Sequence, residues 1–109
     1  MIILFDHGTP RGIAAVLRHH AVFTASSRGW DRLINGDLLR AAEDAGIDLL
    51  LTTDRRMRYQ QNLSSRRITV VVLVGTTKWS KVRMHLERIA AGIESARPGS
   101  YSEITIPMD

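Results

Sequence analysis

The segment 68-ITVVVLV-74 decides how this chain is read. It is an unbroken run of β-branched and aliphatic residues, with no alternating polar position that could face water. A strand with both faces buried belongs at the centre of a parallel sheet covered on either side by helices. Working outward, 2-IILF-5, 21-AVFTA-25 and 48-DLLLTT-53 read as further strands. A last strand, 101-YSEITI-106, is ended by Pro107, which places it at an edge.

Helical spacing fills the intervals. Thr9 as N-cap and Pro10 in the first turn open a helix bearing Ile13, Val16 and Leu17, running to about His20. Asn35 caps a second helix, residues 36–45, which stops at Gly46. Thr76 or Thr77 caps a long amphipathic third helix carrying Val82, Leu86, Ile89, Ala90 and Ile93 and ending before Pro98-Gly99. Residues 54–63 form a short helix or an irregular turn. Strands alternating with helices imply an α/β fold around a mostly parallel sheet of four or five strands.

The 109 residues make one domain, 1–109, long enough for a single core. The absence of cysteine excludes disulfides, thiolate zinc sites and cysteine nucleophiles. The opening MIILFDHG has no basic n-region, and no stretch reaches the length of a membrane span, so a cytoplasmic location without membrane contact is expected. A net charge of +4 leans toward polyanions. The cations are bunched as Arg55, Arg56 and Arg58, as Arg66 and Arg67, and as Lys78, Lys81 and Arg83.

Three carboxylates hold equivalent places in the alternation. Asp6 ends strand one, Asp37 lies in the first turn of the helix after strand two, and Asp54 ends strand three. In a parallel sheet these places share one rim, the rim where open α/β sheets bind ligands. Hard cations such as Mg²⁺ take oxygen ligands, commonly one or two carboxylates with waters and substrate phosphate. An ion there would activate a water for phosphodiester cleavage, and a second, roughly 3.5–4 Å away, would stabilise the leaving oxygen. Arg55, Arg56, Arg58 and Lys78 would hold RNA by its phosphates. Thr53 would orient Asp54 or a metal-bound water at the substrate, and Asn35 is a helix cap whose amide can also contact substrate. Asp31 is a further candidate ligand.

Plainer readings stand beside these. Asp54 suits an N-cap, Asp37 suits the positive end of a helix dipole, and the arginine run suits a solvated face. His7 is a candidate base or a solvated rim residue, while His19 and His20 complement a helix C-terminus. Trp30 and Trp79 cover core edges or stack on a base.

The stretches FDHGTP, NGDLL, LLLTTDRRMRYQQNL with RRITVVVL, and the closing GSYSEITIP resemble the small bacterial PIN-like proteins, compact relatives of PIN-domain ribonucleases. The resemblance covers essentially the whole chain. It implies a PIN-like three-layer α/β/α domain with an acidic pocket for Mg²⁺ or Mn²⁺ and ribonuclease activity. It further implies a toxin paired with an antitoxin protein, and a homodimer. Asp6, Asp37 and Asp54 match the family's first three acids. Two departures are visible: His7-Gly8 replaces the usual acidic or amide residue, and Val74-Gly75-Thr76-Thr77 offers hydroxyls where a fourth acid is usual. A catalytically degenerate scaffold that binds RNA or a protein partner is therefore the rival reading. A phosphorylatable receiver-like domain ranks third, because only Lys78 approaches the lysine it would need.

Overall fold

The computed structural model describes residues 1–33, 35–57 and 66–108. Five strands, β1 (Ile2–Phe5), β2 (Ala21–Thr24), β3 (Leu49–Thr52), β4 (Thr69–Gly75) and β5 (Tyr101–Ile106), form one sheet in the order β2-β1-β3-β4-β5. Every pairing is parallel, with Leu4 opposite Phe23 and Leu50 and with Leu51 opposite Val71. Among the described residues, helices α1 (Asn35–Asp44), α2 (Trp79–Val82) and α3 (Leu86–Ser95) and 3₁₀ segments at Arg11–Val16, Ser26–Arg28 and Arg83–His85 link the strands.

Alternate residues of the central strands feed two separate cores. Ile3, Phe5, Leu49, Leu51, Val71 and Leu73 pack with Ile13, Leu17, Val82, Ile89 and Ile93. Leu4, Leu50, Val70 and Val72 pack with Leu38, Leu39, Ala42 and Met57. Both faces of β3 and of most of β4 are thus dry, as the 68–74 run requires, and β5 lies at an edge. Among the described residues no helix is long and apolar enough to cross a membrane.

The helices depart from expectation in kind. The first is a 3₁₀ segment, with Ile13 N–H bonded to the Pro10 carbonyl and Leu17 N–H to that of Ala14. Thr9 does not cap it; the Thr9 hydroxyl donates to the Leu51 carbonyl at 3.1 Å, and Pro10 takes the cap position. Trp79 lies directly over Gly12, where an added Cβ would fall 2.6 Å from Cζ2. Helical periodicity does not encode this tertiary contact, which needs a glycine at position 12. The long third helix is broken at Arg83–His85, His85 having left helical dihedrals (φ −124°, ψ 21°), yet Val82, Ile89 and Ile93 stay in the core. Neither Thr76 nor Thr77 caps it: Lys78 is the N-cap, and Thr76 Oγ1 accepts the Lys78 N–H at 3.1 Å.

One buried-side contact ties α1 to the start of β4. Glu43 accepts the Arg67 N–H at 2.7 Å, the Ile68 N–H at 3.3 Å and the Arg66 guanidinium at 3.1 Å. Burial alone would raise the Glu43 pKa; the Arg67 N–H, the Arg66 guanidinium and the Ile68 N–H together overcome this and hold it below the ordinary value.

Candidate functional site

From β1 the chain runs outward to the edge strand β2, then crosses back past β1 to β3 and onward to β5. The direction of winding reverses between β1 and β3, and the crevice outside the carboxyl ends of such strands is where open α/β sheets bind ligands. Asp6 directly follows β1, and Asp54 follows β3 by two residues. Both flank that crevice.

A single hydroxyl joins the two. Thr52, with none of its surface exposed, donates from Oγ1 to Asp6 Oδ2 at 2.8 Å and accepts the Asp54 N–H at 3.1 Å. Asp6 Oδ1 also accepts the His7 N–H at 2.7 Å. Asp54 Oδ1 accepts both the N–H and Nε of Arg56, at 3.0 and 3.3 Å, so its cap-like role is real. Among the described residues no donor reaches Asp54 Oδ2, and the Asp54 side chain is 25% exposed. The organiser is Thr52, not Thr53; Thr53 Oγ1 instead sits against Gly8, 3.3 Å from where a Cβ would be. Gly8 has φ +90°, the conformation that lets the chain turn back after Asp6 so that the Thr9 N–H reaches the Asp6 carbonyl at 3.1 Å.

Beside Asp6 opens a pocket of about 240 Å³ bounded by His7, Thr9, Arg11, Thr24 and Ser26. Its wall is well ordered: Ser27 Oγ donates to the Thr24 carbonyl at 2.8 Å, and the Ser27 N–H donates to Thr24 Oγ1 at 3.1 Å. Sequence reading overlooked Arg11, Thr24 and Ser26. Thr24 and Ser26 could have been found from position, at or just beyond the carboxyl end of β2; Arg11 opens the 3₁₀ segment that follows β1.

The other expected residues divide. Asp37 is in the first turn of α1 but 67% exposed, 3.6 Å from Arg40. Among the described residues no three His, Asp or Glu side chains are gathered closely enough to hold one ion, so Asp37 does not join Asp6 and Asp54 in a common cluster. Arg55 and Lys78 are exposed and follow β3 and β4 on the same rim; Arg56 is exposed but engaged by Asp54. Asn35 opens α1, and Arg58 lies outside the described residues.

These groups suit a hard divalent cation in its common form, one or two carboxylates completed by waters and substrate oxygens. The groups beside the crevice are carboxylate and hydroxyl oxygens, one carboxylate oxygen meets no hydrogen-bond donor among the described residues, and a pocket with Arg11 in its wall adjoins them. No family model, no curated protein and no solved structure matches the chain.

Proposed function

We propose that this protein is a PIN-like, metal-dependent endoribonuclease whose central ligands for Mg²⁺ or Mn²⁺ are Asp6 and Asp54. The observation that carries the reading is the Thr52 hydroxyl holding both acid-bearing segments at the switch point of the sheet. Asp6 and Asp54 offer oxygen ligands of fixed orientation. Arg11, with the hydroxyls of Thr24 and Ser26, suits a phosphate in the adjoining pocket. Arg55 and Lys78 attract the strand by charge. When bound, the ion contributes charge stabilisation at phosphorus and acidifies the attacking water. Asp37, exposed and beside Arg40, is not one of these central ligands. The sequence resemblance extends the reading to the toxin of a toxin–antitoxin pair.

Asp6→Asn and Asp54→Asn should each abolish Mn²⁺-dependent RNA cleavage while circular dichroism stays native and any loss of stability stays within about 1–3 kcal/mol. Cleavage undiminished in both variants would refute the assignment. The rival reading, a degenerate scaffold binding RNA or protein, is favoured by the want of a three-acid cluster among the described residues. Retained RNA affinity without Mn²⁺ binding in calorimetry, and without cleavage, would select it.

A further inference from the structure

We propose that Trp79 is a positioning residue for Arg11: its indole, laid on Gly12, fixes the backbone that aims the Arg11 guanidinium at a substrate phosphate beside Asp6. The inference rests on the phosphate role proposed above for Arg11 and adds what holds that residue in place.

The Trp79 contact is not part of core packing. Trp79 is 42% exposed and belongs to neither of the two cores. Its ring nonetheless lies so close to Gly12 that the three atoms nearest a side chain there would all be its own, with Cζ3 at 2.7 Å. Any larger residue at position 12 would push the ring away.

Arg11, one residue earlier, lines the pocket together with Asp6, Thr24 and Ser26. Its side chain is exposed, and among the described residues no hydrogen bond or ion pair restrains it. Its aim therefore depends on where the backbone places its Cα.

That backbone is held on both sides. Before Arg11, Thr9 donates its N–H to the Asp6 carbonyl and its hydroxyl to the Leu51 carbonyl, each at 3.1 Å. After it, Gly12 lies under Trp79 and Ile13 is buried. Trp79 is itself fixed: the Lys81 and Val82 N–H groups close its turn onto the Lys78 carbonyl at 2.9 Å, and Val82 is anchored in the core. An arginine side chain carries much rotamer freedom, so a fixed base limits what is lost when it meets a phosphate.

The test is fluorescence anisotropy of a labelled RNA oligonucleotide on full-length protein in EDTA, which prevents metal-dependent cleavage. The outcome is thus separate from that of the cation assignment, which stands or falls in Mn²⁺. Arg11→Ala should weaken binding about tenfold, the loss of one charge-assisted bond. Trp79→Ala should weaken it about three- to tenfold in the wild-type background and hardly at all in Arg11→Ala, the coupling of residues that act together. Trp79→Phe, which keeps a flat ring over Gly12, should restore most of the affinity. Gly12→Ala displaces the ring without removing it and should reproduce the loss. Losses that simply add in the double variant, or wild-type affinity in both Trp79→Ala and Gly12→Ala, would overturn the proposal. Wild-type affinity in Arg11→Ala would overturn it together with the phosphate role on which it rests.

Discussion

Thr52 shows how one side chain can organise a site without touching a ligand. It is fully buried, and its hydroxyl serves as donor to Asp6 and as acceptor for the Asp54 backbone. Thr52→Val keeps the shape and removes both bonds, leaving an Asp54 N–H and an Asp6 oxygen unpartnered. Urea denaturation should show a loss of about 1–3 kcal/mol, and calorimetry a weakened Mn²⁺ affinity, with Thr52→Ser recovering most of both. A Thr52→Val protein equal to wild type in both measurements would remove Thr52 as organiser. The acids themselves were legible in the sequence, because a strand of aliphatic residues has no packing use for a terminal Asp6 or Asp54. The role of Thr52 was not: its partner Asp6 is 46 residues away, and only strand pairing makes them neighbours. Thr53, equally placed beside Asp54 in sequence, lies against Gly8.

The secondary-structure elements divide along the same line. The strands were readable because burial on both faces leaves a pattern in composition, and 68–74 carries it plainly. Helix type was not: apolar positions at helical spacing fall on a 3₁₀ segment at Arg11–Val16, and the spacing of Val82, Leu86, Ile89 and Ile93 carries no sign of the break at His85. The Glu43 contacts between α1 and β4 make a testable statement here. Its folded pKa lies below the ordinary 4.5, so its ionised form stabilises the fold above that pH; this contribution fades as the pH falls through the lowered folded value. Glu43→Gln should therefore cost about 1–3 kcal/mol at pH 7 in denaturant titrations. The gap to wild type should narrow on acidification below 4.5. A gap constant across that range would mean that charge at Glu43 does not stabilise the α1–β4 junction.

At the scale of the molecule, strand order does what no single motif could. Alternating strands and helices made a parallel sheet readable, but not the order β2-β1-β3-β4-β5 that puts the winding reversal between β1 and β3. That order places the segments carrying Asp6 and Asp54 side by side and leaves Asp37 exposed on α1. The central claim is that these two carboxylates, on segments joined through the Thr52 hydroxyl, form the cation site of a phosphodiester-cleaving crevice. Crystals soaked in Mn²⁺ and read by anomalous diffraction test it most directly. The account predicts one strong peak within coordinating distance of both Asp6 and Asp54, lost in Asp54→Asn; an absence of density there at saturating Mn²⁺, or a peak bound elsewhere on the surface, would contradict it.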